Sequence, residues 1–168
     1  DRERPVSLMS AAEVGQALEA AGHAVRQCDI SPEDTSALDQ FTDWGGNVVF
    51  PVLHGPWGEG GPLQTLLDER GLPYVGSDSA AARRCIDKHQ TKQVLDAHDL
   101  PTPEYELVER GQDPAMAPPL VVKALCEGSS FELEICHDSA QVTEALEQLL
   151  KRHDQVLVER FIGGRELT

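Results

Sequence analysis

The 168-residue sequence is poor in basic and aromatic side chains. Fourteen lysines and arginines stand against 29 aspartates and glutamates, which gives a formal net charge of −15, and aromatic residues make up only 5% of the chain. A nucleic-acid-binding face needs an excess of basic side chains, and so does docking on an anionic membrane. The composition therefore argues against nucleic acid and membrane as partners, although a few well-placed lysines suffice to hold a small anion.

Cysteines and long apolar runs are also scarce. The four cysteines, Cys28, Cys85, Cys126 and Cys136, form no CxxC pair. Scattered thiols in a chain of this length favour a cytoplasmic protein with free thiols over a disulfide framework. The longest apolar stretch, near 48–53, is far below the roughly 20 residues of a membrane span. We therefore expect a cytoplasmic protein with no span or signal peptide.

The first 76 residues alternate helical and strand patterns. A capping-box pattern at Ser10 predicts a helix over 10–22. The nearly continuous apolar run at 47–53 is typical of a buried strand in a parallel sheet. A second helix follows at 62–71, and a short strand at 72–76. This alternation predicts an α/β fold.

The second half of the chain has a different pattern. Residues 77–84 are small and polar, and we expect a domain boundary near them. Beyond it, strands separated by a short turn favour antiparallel pairing, so this half is predicted to be α+β. The patterns predict helices over 88–98 and 139–152, and strands over 120–123, 131–136 and 155–159.

The turn between the first two of these strands is a candidate phosphate-binding site. Gly128, Ser129 and Ser130 offer backbone N–H groups and hydroxyls, and Lys123 lies five residues before the glycine. Such a turn can fold over a polyphosphate. The same residues also occur in turns that bind nothing, and the spacing is not that of a Walker A loop. The motif alone leaves both interpretations open.

Three other groups of residues are candidate ligand-binding sites. His54 and Glu59 follow a predicted strand, where ligands of α/β sheets bind. Lys88 begins a helix and could hold a phosphate, although helix-surface lysines are usually only solvated. Glu159 and Glu166 bracket an apolar pair suited to adenosine, and a strand end followed by a loop explains them equally well.

Taken in order, these motifs resemble the D-alanine–D-alanine ligase family of ATP-grasp enzymes. The histidine loop and the spacing from the lysine to the Gly-Ser-Ser turn are the most specific parts. The matching stretches, in chain order, are 3–8 with Ser10, 48–59, 72–77, Asp87-Lys88 with Thr91-Lys92, Leu100-Pro101, 121–123, 127–130, and 156–159 with 166–168.

The resemblance implies a fold and an activity. The fold would be an N-terminal Rossmann-like domain with a parallel sheet (1–84), then an α+β central ATP-grasp subdomain (85–158), then the start of a C-terminal ATP-grasp domain (159–168). The family uses ATP to phosphorylate one D-alanine, and the amino group of a second D-alanine attacks the acylphosphate. The dipeptide D-alanyl-D-alanine serves peptidoglycan precursor synthesis. A homodimer is also expected from the resemblance.

The resemblance also implies roles for individual residues. Glu3, His54 and Ser129 would act at the first D-alanine, with Glu3, His54 and Glu59 binding it. The residues implied to hold ATP are Lys88, Lys123, Glu127, Gly128, Ser129, Ser130, Glu159, Arg160, Phe161, Ile162 and Glu166. No residue matches the family's ligands for Mg²⁺ or Mn²⁺, which we expect beyond residue 168.

Three positions depart from the family pattern. Ala124 stands where the family usually has proline, and Gly60 where it usually has an acidic residue. Glu132 stands at a usual glycine, where a carboxylate would repel a triphosphate unless it points away.

The end of the chain falls where the family's third domain is only beginning, so we expect a piece of a longer protein that is inactive by itself. Two alternatives stay open, namely a related ligase with another second substrate such as D-lactate, and a non-catalytic nucleotide-binding or scaffold relative.

Overall fold

The computed structural model describes residues 3–128 and 130–165. The chain divides between Arg83 and Arg84 into two compact units. In the part of the chain so described, no helix is both long enough and apolar enough to cross a membrane.

The first unit is mainly helical. Its elements are α1 (Arg4–Ala20), a short 3₁₀ helix (Ser36–Leu38), α2 (Phe41–Trp44), α3 (Gly55–Glu59) and α4 (Pro62–Glu69), and α5 (Ser79–Ile86) runs across the division between the units.

Helix α1 begins six residues before the predicted start. Ser10 lies inside the helix, and Glu3 is the N-cap residue, so the capping-box prediction at Ser10 is wrong. Pro5 in the first turn causes no break because the N–H it lacks would have no partner there. The predicted stop is confirmed, since Gly22 has a φ of 89° and the next residue donates its N–H to the carbonyl of Leu18.

The predicted parallel strands are reduced to one bridge. Val49 and Tyr74 form an isolated parallel bridge, and Val48 and Phe50 are 52% and 44% exposed. The prediction of a continuous buried strand over 47–53 is therefore wrong. Prolines lie beside the bridge on both segments and cannot donate to a ladder. Predicted helix α4 is confirmed, and it packs Leu63 and Leu67 into the small core of this unit.

The second unit is an antiparallel sheet with helices. Its order in space is β1-β4-β2-β3, and every pairing is antiparallel, as predicted. Strand β1 is not among the predicted strands, and its short sequence, Tyr-Glu-Leu-Val-Glu, does not alternate regularly. The elements are α6 (Lys88–Ala97), β1 (Tyr105–Glu109), β2 (Leu120–Lys123), β3 (Leu133–Cys136), α7 (Ser139–Leu149) and β4 (Gln155–Arg160).

The two faces of this sheet have different chemistry. Alternate residues on β2 and β4, such as Leu120, Val122 and Val158, form an apolar core with α7. Their neighbours point to the other face, where Lys123 and Glu159 lie. The register pairs Val121 with Glu159 and Lys123 with Leu157 across β2 and β4, so the lysine and the glutamate are diagonal neighbours on that face.

Removal of a core side chain should destabilise the second unit. Leu120 is fully buried, and Leu120→Ala should lower the free energy of unfolding by about 2–5 kcal/mol because it leaves a cavity. The matched control, Ile135→Ala, removes a side chain that is 47% exposed and should cost at most about 1 kcal/mol. Urea unfolding measures both, and equal losses would contradict the assigned faces.

Candidate functional site

A carboxylate bridges two lysines on the second face of the sheet. Glu159 Oε1 lies 2.9 Å from Lys92 Nζ, and Glu159 Oε2 lies 2.6 Å from Lys123 Nζ. Glu159 and Lys92 are both buried, and Lys123 is largely so. We call these three residues the lysine cluster. Buried charges are stable only when paired, so the cluster is a specific structural feature and not a solvated surface.

Helix α6 brings Lys92 into the cluster. Asp87 caps the helix by accepting the N–H of Gln90, as predicted. At the other end of the helix, Tyr105 on β1 donates its hydroxyl to Asp96 at 2.7 Å. This hydrogen bond raises the pKa of Tyr105. The ring of Tyr105 also lies 4.9 Å from Lys92 Nζ, a cation–π distance.

Lys88 lies next to the cluster at the start of α6. Its ammonium group donates to the carbonyl oxygens of Leu125, at 3.2 Å, and Glu127, at 2.5 Å. Burial, and next the positive charge of Lys123, hold the pKa of Lys88 below its usual value. Lysine has three N–H donors, so these two contacts leave one for a ligand. Two lysines thus pair with one buried carboxylate, and a third lies near Lys123, in a strongly acidic chain.

The turn after β2 has an unusual backbone. Ser130 and Glu132 have φ values of 56° and 55°, in the left-handed region that favours glycine. This left-handed backbone conformation explains why the family usually has glycine at position 132. Ala124 donates its N–H to the carbonyl of Glu132 at 3.0 Å, a bond that proline could not make. Two of the departures from the family pattern are thus hydrogen-bonded to each other.

The side chain of Glu132 is held by basic residues. Its carboxylate pairs with Arg152 at 2.8 Å and with His153. These partners follow α7 in the chain, and Lys123 is not among them. The carboxylate is therefore engaged elsewhere, so the expected repulsion of a triphosphate does not follow from this departure.

The residues expected at adenosine are only partly brought together. Arg160 pairs with Glu104, at 2.6 Å, and its guanidinium is thereby held. Phe161 stacks edge-on against His137 with ring centroids 6.0 Å apart. Ile162 is 63% exposed. Ser129 and Glu166 lie outside the described residues, and the roles assigned to all of these residues stay predictions.

The first unit brings together the residues expected at the first substrate. His54 Nδ1 lies 3.1 Å from Glu59 Oε1, and Gly55 donates its N–H to Glu59 Oε2 at 3.0 Å. Ser7 Oγ accepts the N–H of His54. A Cβ atom at Gly55 would lie 3.3 Å from Glu3 Oε2, so Glu3 lies beside the loop that begins at His54. His54 Nε2 is buried with no hydrogen-bond partner in the structure, which leaves a polar atom for a ligand.

The loop also explains the glycine at position 60. A Cβ atom there would lie 2.3 Å from the carbonyl oxygen of Pro56, so no side chain fits in this backbone conformation. The acidic residue that the family usually has at this position would require a different loop.

Among residues 3–128 and 130–165, no three His, Cys, Asp or Glu side chains are grouped as a metal site requires. These residues therefore do not fit the implied Mg²⁺ or Mn²⁺ site. The expectation of ligands beyond residue 168 stays a prediction.

Sequence reasoning missed two members of this site. Lys92 was noted only as part of a matching motif, and Tyr105 lies on a strand that was not predicted. The signal for Lys92 was its spacing, because Lys88 and Lys92 are four residues apart and share one face of a helix.

Comparison with known proteins decides the family. A family model described as the D-Ala–D-Ala ligase N-terminus matches residues 31–77, and the model of the C-terminus matches residues 94–168. The D-alanine–D-alanine ligase of Pseudothermotoga lettingae is 38% identical over 168 residues, which is 99% of this chain and 56% of the relative. That of Saccharophagus degradans is 40% identical over 171 residues, 99% of this chain and 54% of the relative.

This chain belongs to the D-alanine–D-alanine ligase family.

Solved structures agree on the fold. The D-alanine–D-alanine ligase of Bacillus anthracis matches with a TM-score of 0.79 at 24% identity, covering 98% of this chain and 54% of the other. The ligase of Coxiella burnetii matches with a TM-score of 0.65 at 31% identity, covering 71% and 39%. The expected α/β fold, with part of an ATP-grasp fold, is confirmed. The chain spans about half the length of the curated ligases it matches.

The buried ion pairs should matter more for stability than exposed ones on the same strand. Glu159→Ala would leave Lys92 and Lys123 buried without a carboxylate and should cost about 3–5 kcal/mol. The control, Glu104→Ala, removes the partner of Arg160 in a largely exposed pair, which is worth about 0–1 kcal/mol. Urea unfolding compares the two variants, and similar losses would show that the lysine cluster is not desolvated in solution.

Proposed function

We propose that this chain carries the ATP-binding and first-substrate parts of a ligase that joins two D-alanines at the expense of ATP. The names of the relatives support D-alanine over D-lactate as the second substrate. Because the chain spans about half of those relatives, the complete reaction is proposed for the longer protein.

The lysine cluster is the observation that carries the proposal for ATP. Lys92 and Lys123 pair with one buried carboxylate and Lys88 lies next to them, in a chain whose formal net charge is −15. A protein that needed only to fold has no reason to bury this excess of positive charge, because apolar side chains would cost less. A triphosphate supplies the missing negative charge, and charge-assisted hydrogen bonds to phosphate are strong.

The proposed reaction has two steps. The carboxylate of the first D-alanine attacks the γ-phosphorus of ATP, which breaks the bond to the β-phosphate oxygen and gives an acylphosphate and ADP. The amino group of the second D-alanine then attacks the acyl carbon, phosphate leaves, and the amine loses a proton. Phosphoryl transfer depends mainly on positioning and on neutralising charge. Lys88 and Lys123 would do this at the phosphates, with the 128–130 turn covering them against water.

The first unit would hold the first D-alanine. Glu3 would accept hydrogen bonds from the substrate ammonium group. His54 would lie beside that substrate, oriented by Glu59 through Nδ1, with its unpartnered Nε2 available for a hydrogen bond. A role for Ser129 at this substrate is proposed from the family motif alone. The roles of Gly128, Ser130 and the adenosine residues 159–162 and Glu166 are proposed from family motifs alone.

The remaining assignments are proposals of the same kind. The product would serve peptidoglycan precursor synthesis in the cytoplasm. The cysteines in the described residues are free, and Cys28, Cys85 and Cys126 are exposed, which suits a reducing compartment. A homodimer is proposed from the family alone.

Removal of the cluster lysine on β2 should weaken ATP binding. Lys123→Ala should raise the ATP dissociation constant of the 168-residue chain on the order of 10–100-fold, because it removes a charge-assisted hydrogen bond to phosphate. Isothermal titration calorimetry measures the constant.

The control for this variant is Lys151→Ala, which removes an exposed lysine after α7 and should change the constant by less than about twofold, since surface charges are screened. Unchanged affinity in Lys123→Ala would favour a scaffold relative or another mode of ATP binding.

The 168-residue chain alone should form no dipeptide. Incubation with ATP, Mg²⁺ and D-alanine should release no phosphate above background, because the chain spans only about half of the relatives. The longer protein should form D-alanyl-D-alanine in the same assay and should prefer D-alanine when D-lactate competes. Phosphate release by the purified 168 residues would contradict the first expectation, and a preference for D-lactate the second.

A further inference from the structure

Lys92 is a buried lysine that the proposed reaction does not bring into contact with ATP. It is 5% exposed and lies in the middle of α6, one helical turn after Lys88. We propose that Lys92 is a positioning residue that keeps the lysine cluster positively charged by balancing the carboxylate of Glu159. The proposal rests on the proposed function, since it assigns a task within ATP binding.

The contacts of Lys92 exclude direct contact with a phosphate. An ammonium group has three N–H donors, and Lys92 has three acceptors in the structure. These are Glu159 Oε1 at 2.9 Å, Thr102 Oγ1 at 2.6 Å and the carbonyl oxygen of Pro103 at 3.0 Å. All three donors are used within the protein, so any effect of Lys92 on ATP acts through Glu159 and through its charge.

The charge of the cluster depends on Lys92. Lys123 and Glu159 alone form a buried pair with no net charge, which would attract a triphosphate only weakly. Lys92 adds one positive charge and occupies Oε1, so that Glu159 presents Oε2 to Lys123. The lysine cluster then carries one net positive charge beside that of Lys88, while a carboxylate still fixes the position of Lys123. Electrostatic effects of this kind are strong in a buried site because solvent screens them little.

A purely structural role for Lys92 does not explain why a charged side chain is buried at this position. Lys92 does connect α6 to the segment before β1 through Thr102 and Pro103, but Tyr105 and Asp96 make a separate connection between α6 and β1. A buried lysine is also a costly way to join two segments, because its charge must be desolvated. The ion pair with Glu159 explains the charge, because the ammonium group of Lys92 balances the carboxylate.

The test is whether ATP affinity follows the charge of the cluster. Four forms of the 168-residue chain give a series of net charges for residues 92, 123 and 159. These are Glu159→Gln with two positive charges, wild type and the double variant Lys92→Met/Glu159→Gln with one, and Lys92→Met with none. Dissociation constants for ATP and for adenosine, which has no phosphate, are measured by NMR titration.

The ratio of ATP affinity to adenosine affinity should fall about tenfold for each positive charge lost. Lys92→Met should therefore lower the ratio about tenfold, and the double variant should return it to within about threefold of wild type. Lys92→Arg keeps the charge and should keep the ratio. Thr102→Val removes only the structural contact and should leave the ratio unchanged.

Three results would overturn the proposal. A parallel loss of ATP and adenosine affinity in Lys92→Met would show a structural role alone, as would failure of the double variant to recover. If Lys92→Met does not fold, an equal ratio in Glu159→Gln and in the double variant would refute the charge effect. If the wild-type chain binds neither ATP nor adenosine, the proposed function itself fails. If the chain binds ATP but the affinity ratio does not change with the charge of the cluster, only the role of Lys92 is refuted.

Discussion

The second unit depends on the two ion pairs that the carboxylate of Glu159 forms, one through each oxygen. This carboxylate joins β4 to Lys123 on β2 through one oxygen and to Lys92 on α6 through the other. All three groups are withdrawn from water, so each would be costly without the others. The apolar face of the sheet can pack on α7 through hydrophobic burial alone, but the opposite face is held to α6 through these charges and through Tyr105.

The same constraint connects the fold with the proposed activity. Antiparallel register makes Lys123 and Glu159 diagonal neighbours. Helix α6, capped at Asp87, places Lys92 against Glu159 and Lys88 against the carbonyls of Leu125 and Glu127. The result is a region of positive charge in an acidic chain. Burial and the neighbouring Lys123 lower the pKa of Lys88, because both disfavour its charged form. Glu132 is engaged by Arg152 and His153 and adds no repulsion there.

Much of the second unit could be predicted from local patterns, because the hairpin, α7 and β4 each bury one clear face or a continuous apolar run. The first unit was harder. The apolar run at 47–53 resembles a buried strand, but pairing depends on neighbours that a local pattern does not specify, and Val48 and Phe50 are exposed. Family motifs predict Lys88, Lys123 and Glu159 as site residues, whereas the pairing of Lys92 with Glu159 is seen only in the tertiary structure. The family usually has glycine at position 132, and the left-handed φ of Glu132 gives the reason. Hydrophobic periodicity carries no information about such a φ value.

The sheet face that carries Lys123 and Glu159 is proposed to bind a nucleoside triphosphate. Amide hydrogen exchange on the 168-residue chain, with and without ATP, is the decisive experiment. ATP should slow exchange at 121–128 and at the start of α6, because Lys88, Lys123 and the turn would hold it, and it should leave exchange on the exposed side of α7 unchanged. Protection confined to α7, or no protection at saturating ATP, would contradict this proposal.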